Sequence, residues 1–365
     1  MNTILIMAIC LFLIPIECPT IINYPDQGGR LELPVSGATG WAASSLPLHT
    51  EPEQSADVIL NLVPGQGFTI ITEYGEWWNV SISGAKSISG WVQHRSCLIN
   101  LPDVIPSIIY DITNVHSSVK RSSNYEIPGI IGDALYEAQT FNYHLGRHEF
   151  IVPVLYSTSM RLFEAQQAAL ADGNTLIIYE ALRPHITQQR IVNDLRKLMD
   201  SNVNVQRSII TQPWSLNWFI STGISNHQRG IAVDVGLGKI IYYEVRMNDT
   251  FTYTHITAFE RHAMPMEMHE LSLLAAVFTS PVPSSFVDAW RTTTVTNNIT
   301  EGAILLQLYL TDAGFSPLAL EWWHFNDLAG VRIANNVGIT GGFFTETAYG
   351  TIPIFTKKNV HYCNM

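Results

Sequence analysis

The stretch 225–235 reads Ser-Asn-His-Gln-Arg-Gly-Ile-Ala-Val-Asp-Val. From Gly230 onward, bulky apolar residues alternate with small or acidic ones, and this spacing predicts a β-strand. The side chains expected to face a core are Ile231, Val233 and Val235. Asp234 then lies on the opposite face, and His227 lies in the turn that leads into the strand. A turn followed by a strand can bring a histidine and an aspartate to one metal ion.

A second stretch, 320–325, reads Leu-Glu-Trp-Trp-His-Phe and places Glu321 and His324 three positions apart in an apolar run. Burying either polar side chain without a partner is costly, and a metal ion would supply that partner. On a flat strand the two side chains would point to opposite faces. Joint action therefore requires a bend or bulge near Trp322 and Trp323.

Imidazole and carboxylate groups are good zinc ligands, and a catalytic zinc site has three protein ligands and one open position. His227, Asp234 and His324 supply that number. Glu321 remains as a carboxylate that can move a proton between water and a leaving amine. Arg183 follows the β-rich run 175–182, where its guanidinium can stabilise the oxyanion formed during amide hydrolysis.

These segments resemble the zinc peptidase family of D-alanyl-D-alanine dipeptidases and carboxypeptidases, the family of the vancomycin-resistance dipeptidase. The family pattern is SxHxxGxAxD followed by ExWH, with an Arg-Pro pair after an upstream strand. The matching residues are Ser225, His227, Gly230, Ala232, Asp234, Glu321, Trp323 and His324, together with Arg183-Pro184. The resemblance implies a catalytic domain over 107–345, with an α+β fold in which an antiparallel sheet is backed by helices.

The resemblance also implies the roles of individual residues. His227, Asp234 and His324 would bind one Zn²⁺ ion and Glu321 would be the general base. Arg183 would stabilise the substrate carbonyl in the transition state. Ser225 would contact the substrate carboxylate.

The implied reaction is hydrolysis of the terminal D-alanyl-D-alanine bond of peptides from bacterial peptidoglycan, by a dipeptidase or a DD-carboxypeptidase. The dipeptidase branch has acidic residues between the two motifs that receive the free amine. The corresponding stretch here, 264–270, has no aspartate, which leaves Glu267 and Glu270 as candidates. Two alternatives stay open: an endopeptidase that cuts another stem-peptide bond, and a wall-binding protein whose zinc is structural.

Residues 36–100 contain many short β-rich runs separated by turn residues, which predicts a small all-β barrel. The segments 62–67, 75–80 and 90–92 read Leu-Val-Pro-Gly-Gln-Gly, Gly-Glu-Trp-Trp-Asn-Val and Gly-Trp-Val, and they resemble the bacterial SH3-type domain. Such domains commonly accompany cell-wall hydrolases. Two prolines within 101–106 predict a linker, and 346–365 is interpreted as a C-terminal tail.

Residues 1–18 begin with an apolar run shorter than the ~20 residues of a membrane span, which favours a signal peptide and a secreted protein. No membrane association is expected after its cleavage. The chain has 20 basic and 31 acidic residues, with no Lys/Arg run, which argues against nucleic-acid binding. In an oxidising compartment, Cys97 and Cys363 are candidates for a disulfide bond.

Overall fold

The computed structural model describes residues 31–82, 87–111, 120–127, 139–248, 251–282, 289–343 and 345. The predicted signal peptide, the tail 346–365 and Cys363 lie outside these ranges, so the predicted disulfide stays a prediction. Cys97 itself is buried. None of the helices within the described ranges is long and apolar enough to cross a membrane.

The first part of the chain is built from short strands and one short helix. These elements are β1 (Thr39–Ala42), β2 (Leu46–His49), β3 (Val58–Leu62), β4 (Gly67–Tyr74), β5 (Trp77–Ile82), β6 (Ile88–Gln93), β7 (Cys97–Asn100) and α1 (Leu101–Val104). The remainder mixes strands with longer helices. Its strands are β8 (Ile109–Tyr110), β9 (Arg121–Ser122), β10 (Tyr125–Glu126), β11 (Thr140–Asn142), β12 (Arg147–Glu149), β13 (Pro153–Leu155), β14 (Asn174–Glu180), β15 (Ala232–Asn248), β16 (Phe251–Arg261), β17 (Phe315–Leu318) and β18 (Glu321–Asp327). Its helices are α2 (Tyr156–Ala171), α3 (His185–Ser201), α4 (Val203–Ile210), α5 (Glu301–Asp312) and α6 (Leu328–Asn336). The predicted α+β class, with antiparallel sheets and helices, is confirmed.

The N-terminal strands belong to an eight-stranded sheet in the order β13-β7-β1-β4-β5-β6-β2-β3. All neighbours whose pairing is described run antiparallel. Trp41 and Trp78 are fully buried on this sheet. The edge strand β13 comes from beyond residue 150 and pairs with β7 through Val154 and Ile99. The two parts of the chain therefore share one sheet.

The segment 101–106, which the sequence predicts to be a linker, has a different structure. Its first four residues form α1, all of them buried, and Pro102 occupies the first turn of that helix. A proline is well suited to this position because its fixed φ is helical and the missing N–H has no intrahelical partner there. The prolines of 101–106 thus belong to a buried connection.

Glu32 ties the segment before β1 to the second part of the chain. Its buried carboxylate accepts hydrogen bonds from the Ser107 backbone amide at 3.1 Å and from the Gln167 side chain of α2 at 3.3 Å, and it also contacts the Ser107 hydroxyl. Burial raises the pKa of Glu32 to about 7, although these hydrogen bonds act in the opposite direction. The folded protein therefore favours the protonated carboxyl.

We expect this carboxyl to make stability depend on pH. Below pH 4.5 it is protonated in both the folded and unfolded states, and its ionisation carries no penalty. Between pH 4.5 and 7 the unfolded chain releases the proton first, so the free energy of unfolding should fall by about 3 kcal/mol. Glu32→Gln should lose this component, which denaturant titrations from pH 4 to 8 would reveal. Parallel curves for the two proteins would contradict the assignment.

The central sheet has the order β17-β18-β15-β14-β8, with β16 also paired to β15. Its pairs are antiparallel except for β8 and β14, which run parallel. Helix α2 packs against β14 and against α5. Ile231, Val233 and Val235 are fully buried, as the alternation predicts. The opposite face of β15 presents Asp234 toward the cleft described below.

Candidate metal centre

Three neighbouring strands of the central sheet place polar side chains in one row. Asp234 of β15 is directly opposite Glu180 of β14 on one side and His324 of β18 on the other. Side chains that are directly opposite across antiparallel strands point to the same face, with Cβ atoms about 5 Å apart. Strand pairing therefore brings together groups that lie far apart in the sequence.

A tight turn before β15 adds His227 to this row. Residues His227–Arg229 form a 3₁₀ turn that ends at Gly230, whose φ of +69° lies in the left-handed region. A side chain at Gly230 would also meet the Leu155 backbone nitrogen at 2.9 Å. Glycine is required here for both reasons. The turn is held against the segment that follows β14, because the Arg183 backbone amide donates to the His227 carbonyl at 3.2 Å.

The bend predicted near Trp322 and Trp323 is present in β18. Pro317 pairs with Phe325, whereas the next residue, Leu318, pairs with Glu321, so three residues of β18 have no partner in the β17 ladder. On its other side β18 keeps the pairing of His324 with Asp234. Both Glu321 and His324 consequently line the same cleft. The prediction that an irregularity here brings these two side chains to one site is confirmed.

The atoms available for a metal ion form a compact triangle. His227 Nε2 lies 3.1 Å from His324 Nδ1 and 3.2 Å from Asp234 Oδ1, and the last two atoms are 3.1 Å apart. Tetrahedral ligands at zinc distances of about 2.0–2.1 Å would be roughly 3.3 Å from one another. All three residues are buried. The donor set fits a zinc ion, and the sequence-based choice of three ligands agrees with this arrangement.

In both imidazoles, the ring nitrogen that is not part of the triangle makes a hydrogen bond. The other nitrogen is thereby left to bind a metal ion. His227 Nδ1 donates to the Ala181 carbonyl at 2.7 Å, and His324 Nε2 donates to Asn326 Oδ1 at 3.2 Å. Such contacts fix the tautomer of a metal-binding histidine. Burial, and then the charge of Arg183, lower the pKa of His227, although Asp234 acts in the opposite direction.

The carboxylate oxygen of Asp234 that is not part of the triangle, Oδ2, is also fixed by hydrogen bonds. Asp234 Oδ2 accepts from His269 Nε2 at 3.0 Å and from Arg183 Nη2 at 3.3 Å, which leaves Oδ1 for the metal. Burial alone would raise the pKa of Asp234, but His227 and the hydrogen bonds from neighbouring histidines lower it well below its usual range. Asp234 is therefore a carboxylate at neutral pH.

A second group of possible ligands consists of Glu180, Asp234 and His269. Its carboxylates already bind cations of the chain, because Arg183 Nε donates to Glu180 at 2.7 Å and Lys120 Nζ donates to Glu180 at 3.4 Å. These two side chains supply the positive charge that a metal would otherwise bring. The first group is therefore the better candidate to hold a metal ion.

Glu321 lies next to the proposed metal ligands without replacing any of them. Its Oε2 is 3.8 Å from His324 Nδ1, and the side chain is 8% exposed, at the wall of the cleft. Burial raises the pKa of Glu321 to about 7, despite the opposing effect of His324. A carboxyl group with a pKa near 7 can both take up and release a proton at neutral pH.

Arg183 lies in the cleft but most of its donors are occupied. Its guanidinium makes two hydrogen bonds to Glu180, one to Asp234 Oδ2 and one to Gln188 Oε1 at 2.8 Å. Four of its five N–H groups thus have partners among the described residues, and the fifth, which has none there, could serve a substrate oxygen. The structure places Arg183 at the site, where it also holds two carboxylates in position.

The cleft has a volume of about 310 Å³ and continues beyond the metal ligands along the segment 217–226. Ser225 lines it, and its hydroxyl oxygen accepts from the His227 backbone amide at 3.2 Å. Its own hydroxyl proton has no acceptor within the described part of the chain and could be donated to a substrate. The apolar part of the wall includes Phe219, Ile220 and Ile224.

The two glutamates considered as partners for a substrate amine do not reach this cleft. Glu267 is largely exposed and pairs with Arg121 at 3.2 Å. Glu270 is buried, and its carboxylate accepts from the backbone amides of Ser123 and Asn124. Both carboxylates are thus engaged elsewhere, and neither belongs to the cleft wall.

Three residues of the site have no role in the sequence-based interpretation: Lys120, Glu180 and His269. Glu180 is the last residue of a fully buried strand. A charged side chain in such a position indicates that a partner of opposite charge lies nearby. His269 is fully buried beside Trp323, but its partner Asp234 is 35 residues away. No local pattern predicts such a contact.

We expect His269 to support metal binding through Asp234. His269→Leu removes the donor to Asp234 Oδ2 and should weaken Zn²⁺ binding by about 10- to 100-fold. His269→Gln retains an N–H donor at a similar distance from the backbone and should keep most of the affinity. Competition with a chromophoric chelator measures both values. Equal affinities in the wild type and His269→Leu would contradict the role.

Comparison with protein-family models and with curated proteins finds no match for this chain. Its function is therefore inferred from the motifs and from the geometry of the cleft.

Proposed function

We propose that this chain is a secreted zinc peptidase that hydrolyses the terminal D-alanyl-D-alanine bond of bacterial cell-wall peptides. The observation that carries the proposal is the convergence of His227 Nε2, Asp234 Oδ1 and His324 Nδ1 within 3.1–3.2 Å, with Glu321 beside them on the wall of an open cleft. The choice of D-alanine rests on the match of both motifs to the dipeptidase and carboxypeptidase family.

Each side chain around the proposed metal has a separate role in amide hydrolysis. Bound Zn²⁺ supplies Lewis acidity, which activates water near neutral pH. Glu321 accepts a proton as the water oxygen adds to the carbonyl carbon, and it delivers this proton to the amide nitrogen as the C–N bond breaks. The free N–H of Arg183 is available to the oxygen on which negative charge develops.

The cleft supports a catalytic site more than a structural one. Structural zinc sites are closed by four protein ligands, whereas catalytic sites keep one position open. The described group offers three ligands and adjoins a cleft of about 310 Å³. A carboxyl group that is not a ligand, Glu321, has no purpose in a purely structural site.

Acidic groups are scarce on the cleft wall. Of the described residues that line it, only Asp234 and Glu321 are acidic, and both have roles at the metal. A substrate ammonium group would find no further carboxylate among them. This distribution favours a DD-carboxypeptidase acting on longer peptides over a strict dipeptidase.

We further propose that residues 36–100 form a bacterial SH3-type module and that peptidoglycan or its muropeptides are the partner of the whole chain. The motifs of the segments 62–67, 75–80 and 90–92 support this assignment. The zinc peptidase domain would then act on the same wall material that the module contacts.

The test compares D-Ala-D-Ala with a pentapeptide stem ending in D-Ala-D-Ala, using the zinc-loaded full chain. We expect D-alanine release from the pentapeptide at a higher kcat/KM than from the free dipeptide. A stem ending in L-alanine serves as the matched control. Cleavage at another bond of the stem would replace the proposal by an endopeptidase. Zinc binding without cleavage of any stem would favour a wall-binding protein.

A further inference from the structure

Lys120 stands in the wall of the cleft and is 2% exposed. Among the described residues, one side chain accepts a hydrogen bond from its ammonium group, namely Glu180, whose Oε2 lies 3.4 Å from Nζ. An ammonium group has three N–H donors. At least two of them therefore lack an acceptor in the described protein, in a position that solvent scarcely reaches.

The partner of Lys120 is shared with a second cation. Glu180 also receives two hydrogen bonds from Arg183, including Nε at 2.7 Å, so one carboxylate serves two positive side chains. Asp234, the next carboxylate in the row, directs its Oδ1 toward the proposed metal. Burial and then the charge of Arg183 lower the pKa of Lys120. The charges of Glu180, Asp234 and Glu321 act in the opposite direction, but burial and Arg183 outweigh them.

A buried cation with unused donors is stabilised by an anion that enters the cleft. Arg183 is poorly suited to bind that anion, because four of its five N–H groups already have acceptors. Ser225 offers a neutral hydroxyl. Lys120 therefore presents an ammonium group on the cleft wall with donors that have no acceptor among the described residues.

We propose that Lys120 binds the free C-terminal carboxylate of the peptide substrate and so restricts cleavage to the last amide bond. This inference rests on the proposed function, since it assigns a subsite for that substrate. It makes Lys120 a specificity-determining residue, whereas Glu321 acts on the reacting atoms.

The experiment measures binding separately from hydrolysis. N-acetyl-D-Ala-D-Ala and its C-terminal amide are titrated by calorimetry into the zinc-loaded Glu321→Gln protein, which holds the peptide without cutting it. The free acid should bind about 10- to 100-fold more tightly than the amide, as expected for a hydrogen bond to a charged group. In the double variant with Lys120→Met this preference should disappear, and affinity for the amide should stay unchanged.

Two further variants separate charge from structure. Lys120→Arg keeps the positive charge and should retain most of the preference for the free acid. Lys239→Met removes an exposed lysine of β15 and should change neither affinity. Zinc content and unfolding midpoints establish that each variant is folded. Should Lys120→Met not fold, Lys120→Gln carries the same comparison.

Several outcomes would overturn the proposal: equal affinities for acid and amide in the Glu321→Gln protein, no binding of either, retention of the preference in Lys120→Met, or a parallel loss for both ligands. If Lys120 governs the preference while the wild type releases no D-alanine from either peptide, the carboxylate site stands and the proposed reaction fails. The two conclusions are therefore separable.

Discussion

Replacing Glu321 with glutamine is expected to lower kcat for D-alanine release by about 10²- to 10⁴-fold while leaving the zinc in place. Glutamine matches glutamate in size but cannot accept the proton that the attacking water must lose. Because Glu321 Oε2 lies 3.8 Å from His324 Nδ1 and outside the ligand triangle, metal affinity should change little. Steady-state kinetics with the pentapeptide stem, combined with zinc analysis, measures both quantities.

The matched control for this variant is Glu267→Gln, which makes the same substitution at a largely exposed carboxylate outside the cleft wall. It should retain wild-type kcat and KM for both the free dipeptide and the pentapeptide. Near-normal turnover in Glu321→Gln would remove Glu321 from the mechanism. A rise in KM confined to the free dipeptide in Glu267→Gln would restore Glu267 as a partner for the substrate amine.

Asp234→Ala should be the most damaging substitution at the metal centre, both for binding and for stability. Asp234 is buried and accepts hydrogen bonds from Arg183 and His269, and its Oδ1 is the atom proposed to bind the metal. Removing one partner of a buried ion pair typically costs about 3–5 kcal/mol, because the remaining charge is left uncompensated. Denaturant titration in the presence of a chelator isolates this cost from the loss of zinc.

Asp312→Ala provides the comparison for this measurement. Asp312 pairs with Arg291 at 2.7 Å on the surface, where an ion pair contributes at most about 1 kcal/mol. An equal loss of stability in the two variants would argue against the buried network. Unchanged zinc affinity in Asp234→Ala would rule out Asp234 as a ligand.

The row of polar side chains around Asp234 can be predicted from the sequence because its signals are local. Alternation after Gly230 assigns the strand that carries Asp234, and the pair Glu321 and His324 lies within one short run. The bulge was also predictable, since two polar groups three positions apart cannot share one face of a regular strand. Strand pairing then completes the site by placing His324 opposite Asp234.

The surroundings of that row were harder to predict. Lys120 meets Glu180 across 60 residues, and His269 meets Asp234 across 35, so neither contact produces a periodic signal. The linker expected at 101–106 was inferred from its prolines, but proline suits the start of a helix as well as an extended spacer. The path of a chain through the interior depends on contacts with distant segments, which composition does not reveal.

The strand β13 is expected to make the two parts of the chain unfold together. It pairs with β7 along one edge, and its Leu155 amide donates to the Gly230 carbonyl in the turn of His227 at 2.8 Å. Strand β13 thus belongs to the N-terminal sheet and is joined by one backbone hydrogen bond to the turn of His227, so the chain cannot be divided near residue 106 without exposing the unpaired edge of β7. We expect calorimetry of the whole chain to show one cooperative melting transition. Two domains that fold independently would show two separate transitions. A truncated or engineered form of the chain should therefore keep β7 and β13 together.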